Sequence, residues 1–175
     1  MEPIQKLAER LRNGGFSAAL VSDPNAIRYF TGIRFSPGER LLALVVSSSG
    51  QATLVINKLF LYDGDISAAW YSDAQDGVAL LAGLLEGKVA VDKSFPARFL
   101  LRLQQLRPEL QLALGTVIDE VKAVKTPQEQ QKMLRASLVN DSVMAEVARM
   151  IAVGKSERQL RDEIDALFAK VSQGN

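Results

Sequence analysis

The chain has 175 residues, 47% of them apolar, with 21 basic and 20 acidic side chains and a formal net charge of +1. So balanced a charge excludes strong electrostatic attraction to nucleic acid or an anionic membrane. With no cysteine and no histidine, it also excludes disulfides, thiolate nucleophiles, Cys-ligated zinc and any Ser-His-Asp or Cys-His centre built from this chain alone.

Ile4, Leu7, Ala8 and Leu11 recur at helical spacing, and Gly14-Gly15 stops that helix. "FSAALVS" then reads as a short strand buried on both faces. In "SDPNAIRYFTGIRF", Asp23 reads as an N-cap with Pro24 at the first helical position, and Gly32 ends a short helix. "LLALVVS" and "QATLVIN", joined by "SSSG", read as a hairpin. "KLFLYDGD" is ambiguous, with a helical turn as one reading; "ISAAWYSD" is a strand. "DGVALLAGLLEG" is a helix capped by its second glycine, "KVAVDK" a strand, "PARFLLRLQQLRP" a helix between two prolines, and "LQLALG" a last strand. Strands alternating with helices, plus a hairpin, predict an α/β layer fold with a mixed sheet.

From Thr126 onward the strand signals cease. Thr126, Pro127 and Glu129 form a capping box, and Met133, Ala136, Asn140, Val143, Val147 and Met150 or Ile151 keep one stripe at spacings of three and four. Ser156 with Gln159 opens another helix, lined by Leu160, Ile164, Leu167 and Phe168. The predicted division is 1–125 for the α/β domain and 126–175 for a helical segment.

Few residues carry chemistry. No phosphate-binding glycine loop is present: "SSSGQAT" lacks the lysine and the helix it needs. Asp63 and Asp65 are two carboxylates in "YDGD", which lacks the other positions of a calcium loop. Asp73 and Asp76 read as caps of the following helix, and Asp92-Lys93 as a surface turn. Tyr29, Phe30 and Trp70 read as core, and Arg28 as a solvated helix residue. Residues 33–40, "IRFSPGER", read as a loop that presents Arg34, Glu39, Arg40 and an exposed Phe35, the kind of segment where substrate or partner contacts concentrate. No apolar run approaches the ~20 residues that span a bilayer, and the charged N-terminus lacks the apolar core of a signal peptide. The expected location is the cytoplasm.

Three stretches together resemble the creatinase, prolidase and aminopeptidase P family of pita-bread metallopeptidases: "SDPNAIRYFTGI", the join "VKAVKTPQEQQKMLRAS" and the helix "VGKSERQLRDEIDALF". The resemblance implies a three-layer N-terminal α/β domain over 1–125, then two helices that open an incomplete catalytic domain. In that family's peptidases two aspartates, two glutamates and a histidine hold two divalent metals, usually manganese, cobalt or zinc. None of those motifs occurs here, so no catalytic or metal-binding residue is assigned to this chain. The resemblance also implies a homodimer whose residues 33–40 (Arg34, Phe35, Glu39, Arg40) reach the partner's active site, with a peptide as substrate of the full-length enzyme only. Two alternatives stand beside this reading: a stand-alone interaction module dimerising through Met133, Val143 and Val147, and the N-terminal domain of a creatinase-like amidinohydrolase.

Overall fold

A computed structural model describes residues 3–172. These fall into two compact units, divided between Val124 and Lys125.

The first unit runs α1 (Pro3–Asn13), β1 (Ala18–Val21), α2 (Pro24–Thr31), β2 (Ala43–Ser47), β3 (Ala52–Asn57), β4 (Ser67–Tyr71), α3 (Gly77–Ala82), β5 (Lys88–Val91), α4 (Ala97–Leu106), β6 (Gln111–Leu114) and α5 (Thr116–Ala123). The six strands form one mixed sheet in the order β4-β3-β2-β1-β5-β6. β2 pairs antiparallel with both β1 and β3, while the β1–β5, β3–β4 and β5–β6 pairs are parallel. Side chains on a strand alternate between faces, and both faces here are apolar. Ala19, Val21, Leu44, Val46, Leu54 and Ile56 pack with α1, α2 and α5 on one side. Leu20, Ala43, Val45, Val55 and Val89 pack with α3 and α4 on the other. The result is a three-layer α/β domain, and its central strand β1 is buried at every position.

The predicted element order agrees with the observed one through β6. α5 is the element that sequence reasoning did not separate from the join. The ambiguous "KLFLYDGD" is turn and irregular loop. The second helix-capping glycine holds its place: α3 ends at Ala82 with Gly83 as C-cap.

The second unit holds α6 (Pro127–Met150) and α7 (Glu157–Ser172). Both bonds of the Thr126–Glu129 capping box are present, as are the reciprocal bonds between Ser156 and Gln159. The stripe expected along α6 is only partly buried. Val143 and Val147 are buried, but Met133 is 57% exposed, so the three do not form one covered seam. Among the described residues, no helix is long and apolar enough to cross a membrane.

Candidate functional site

The segment 22–40 is built outward from the end of β1. Asp23 takes an extended conformation and its carboxylate accepts from the amides of Asn25 and Ala26, which starts α2. Proline at the first turn loses no helical hydrogen bond. Gly32 ends the helix at φ 76°, a left-handed conformation that a β-carbon would strain. The chain is then free to leave the sheet as the loop 33–40.

The four loop residues singled out by sequence separate into two pairs. Phe35 is not exposed: it retains 7% of its surface, belongs to the core on the α1/α2 side, and stands against Tyr62 with ring centroids 6.2 Å apart. Its neighbours come from a distant loop, so burial comes from tertiary contact rather than from local pattern. Arg40 is held within the domain. Its Nε and Nη2 donate to the two carboxylate oxygens of Asp73 at 2.9 and 2.7 Å, the bidentate geometry that suits a guanidinium. The same Asp73 accepts from Asn57 Nδ2 at 2.7 Å. The Arg40 hydrogen bond, helped by Asn57, holds the Asp73 carboxyl below the usual carboxylate range, and the Asp73 hydrogen bond raises Arg40 in turn. Tyr71 adds a further tie, donating its hydroxyl to the Leu41 carbonyl at 2.8 Å.

Arg34 and Glu39 remain exposed. Among the described residues, Arg34 has no hydrogen-bond or ion-pair partner, and Glu39 is held only through its carbonyl, which accepts from Arg98 Nη2 at 2.6 Å. The loop is therefore anchored by Phe35 and Arg40 and offers the charges of Arg34 and Glu39 outward.

Three other sequence expectations need correction. Asp73 caps no helix; Asp76 alone does, accepting from the amides of Val78 and Ala79. Asp92 is not a surface residue. It is 7% exposed and accepts from the amides of Ser22, Asp23 and Ser94, tying the ends of β1 and β5 together. A carboxylate after an apolar strand reads locally as a turn, and nothing in the sequence reveals the three amides that converge on it. Trp70 lies on the edge strand β4 and is 37% exposed, covered on one side by Tyr62.

Among the described residues, no three of Asp, Glu, His or Cys come together as a metal site, and Asp63 and Asp65 are no exception. The residues present do not fit the family's paired metals, and no chemical step is assigned to them.

The family model for the Creatinase/Prolidase N-terminal domain matches residues 3–124. The chain is 26% identical to a Xaa-Pro dipeptidase of Lactobacillus helveticus over 180 aligned positions, covering 93% of this chain and 48% of that protein. Among solved structures it superposes on dipeptidase PepE from Mycobacterium ulcerans with a TM-score of 0.84 and 25% identity, covering 97% of this chain and 48% of the other. It superposes on a dipeptidase from Pyrococcus horikoshii OT3 with a TM-score of 0.82 and 26% identity, covering 97% and 50%. The chain thus spans about half the length of these relatives.

Proposed function

The chain belongs to the Creatinase/Prolidase N-terminal domain family, and on that premise we propose that it is the N-terminal part of a metal-dependent Xaa-Pro dipeptidase or aminopeptidase. One observation carries the reading. The likeness does not stop at residue 124, where the family domain ends, but continues through α6 and α7 to cover 97% of the chain against half of a dipeptidase. Residues 126–175 are then the opening helices of the catalytic domain. The two divalent metals, manganese, cobalt or zinc, belong to ligands supplied further along a longer polypeptide.

In this reading residues 1–125 take part in dimerisation and in covering the partner's active site, and the loop 33–40 is the covering element. Phe35 and Arg40 hold the loop, while Arg34 and Glu39 meet the peptide or the partner subunit.

The test is the reading frame downstream of Asn175, followed by an assay of the longer polypeptide. We expect an Asp, Asp, His, Glu, Glu ligand set, and hydrolysis of Xaa-Pro dipeptides that a chelator abolishes and manganese restores. A downstream sequence without those ligands, or a longer polypeptide inert with every divalent metal, would remove the basis of the reading.

A further inference from the structure

β6 is the last strand of the sheet and pairs with β5 alone. In a parallel pair, alternate residues turn their backbone groups toward the neighbour and away from it. The amides of Gln111 and Gly115 donate to the carbonyls of Gly87 and Val91 at the two ends of β5. Gln111, Ala113 and Gly115 therefore face β5, and the amides and carbonyls of Leu112 and Leu114 face away from the sheet. Open edges are commonly guarded by charge, proline or a bulge. β6 is short but has none of these: residues 110–118 carry no charge, and among the described residues no side chain bonds to Leu112 or Leu114. The other edge, β4, is guarded at both ends. The Tyr62 hydroxyl takes both backbone groups of Ile66, Gln75 takes the Ser72 amide, and Asp65 and Asp73 flank the strand.

The surface beside β6 offers no free charge either. Leu112 and Leu114 share the face that α4 covers, and Leu114 keeps 65% of its surface exposed. A hollow of about 280 Å³ next to them is lined by Phe95, Leu100 and Gln104. Its two charged lining residues are engaged, Asp92 by three amides and Lys93 by Asp119. At about 100° per residue, Ala97 and Leu101 fall within about 60° of Gln104, and Leu101 is 59% exposed. The arginines of α4 are taken elsewhere, Arg98 by the Glu39 carbonyl and Arg102 by Asp76. Such a strip holds nothing that would select an acidic or a basic partner, but it is complementary to itself. Set two copies antiparallel about a two-fold axis at Ala113. Leu112 of one then faces Leu114 of the other, the free amides and carbonyls of both residues find partners on both strands, and leucine meets leucine.

We propose that β6 is a self-pairing edge: two copies of this chain join antiparallel through Leu112–Leu114 into one continuous sheet, with the Leu101 and Gln104 faces of the two α4 helices beside the seam. A short strand and one helix face belong to the class of small interfaces, below about 1,200 Å², so the dimer is weak and forms at high protein concentration. The pairing is separate from the contact proposed for the loop 33–40 and does not rest on the enzymatic reading above.

The chain has no cysteine, so a single introduced one reports the register. The two copies of position 113 would form a non-hydrogen-bonded pair with Cα atoms about 4.5 Å apart, within reach of a disulfide. The two copies of position 111 would stand about 13 Å apart or more, out of reach. With copper-phenanthroline as oxidant, the 175-residue chain carrying Ala113→Cys should form a disulfide-linked dimer about tenfold faster, or more, than the chain carrying Gln111→Cys, although Gln111 is the more exposed of the two. Adding Leu114→Lys to Ala113→Cys should lower the rate to that of Gln111→Cys and leave the melting temperature unchanged, because the side chain at 114 is exposed. Hydrogen exchange reads the unaltered chain independently. Raising the protein concentration should slow exchange of the Leu112 and Leu114 amides and leave that of Ala113, which faces β5, as it was. Equal cross-linking at 113 and 111, a cross-link indifferent to Leu114→Lys, or exchange at Leu112 and Leu114 that ignores concentration would each overturn the proposal. Self-association that persists with those two amides unprotected would overturn it in favour of a contact through α6.

Discussion

Asn57 shows how a single side chain can hold a loop it does not belong to. It is fully buried; its amide nitrogen supports Asp73, and its Oδ1 accepts from the Leu59 amide at 2.9 Å. Asn57→Ala would leave that amide without a partner and should destabilise the domain by about 1–3 kcal/mol, read as a lower urea midpoint. Arg40→Ala, by contrast, removes one arm of an exposed ion pair. It should barely move the midpoint and should instead speed proteolytic cleavage between residues 33 and 40. Equal losses of stability in the two variants would contradict this division of labour. The same carboxylates govern the response to pH. Asp73 is held low by Arg40, and Asp119 by Lys93 and Lys122. A depressed folded pKa contributes stability that is fully present above the unfolded value, about 4, and lost as pH falls through the folded one. No histidine is present to titrate nearer neutrality. Stability should therefore be flat between about pH 5 and 8 and decline below about 4. Asp119→Asn should flatten that acid limb, and a steep change near pH 6.5 would contradict the account.

At the level of elements, what could be read from sequence was what repeats locally. The six strands announce themselves by short apolar runs between turn residues, and α1, α4 and α6 by spacing and caps. α5 escaped because its start carries no capping side chain; Gly115 makes no side-chain bond there, and the β-branched Thr116, Val117 and Ile118 lower helix propensity. Only packing of Ile118 and Val121 into the core decides that segment. The candidate site was legible to the same degree. The loop's position followed from Gly32 and the Pro37-Gly38 turn. The separation of Phe35 and Arg40, which anchor it, from Arg34 and Glu39, which do not, depends on Tyr62 and Asp73, more than 25 residues away in sequence. Likewise, β6 lies at an edge only because the chain doubles back across the sheet, which no local pattern records. A local signal that did hold can be tested directly. Thr126 accepts from the Glu129 amide while Glu129 accepts from the Thr126 amide at 2.7 Å. Thr126→Ala should cost about 1 kcal/mol and show as an earlier loss of helical circular dichroism on heating, and an unchanged melt would mean that the cap contributes nothing to α6.

Across the whole molecule, the two units differ in how well they bury their apolar side chains. Residues up to Val124 enclose two apolar layers of their own, one on each face of the sheet. α6 has Val143 and Val147 buried, yet Met133, Leu134, Leu138 and Met144 each keep more than half of their surface exposed. At about 100° per residue, those four lie on an arc beside the buried pair, so α6 is apolar on more than one side. A helix of that kind is suited to be covered from a second direction. Each such side chain left in water forgoes on the order of 1 kcal/mol or more. The 175-residue chain should accordingly bind a hydrophobic dye and self-associate at high concentration. A fragment ending at Lys125 should keep its α/β circular dichroism, melt cooperatively and, with the β6 edge blocked by Leu114→Lys, remain monomeric by sedimentation. If the proposed catalytic domain follows, a longer polypeptide that carries it should lose the dye signal, because that domain would cover the exposed arc of α6. An unfolded 1–125 fragment would refute the independence of the first unit. A dye-silent, monomeric 175-residue chain would show instead that the arc on α6 needs no further covering.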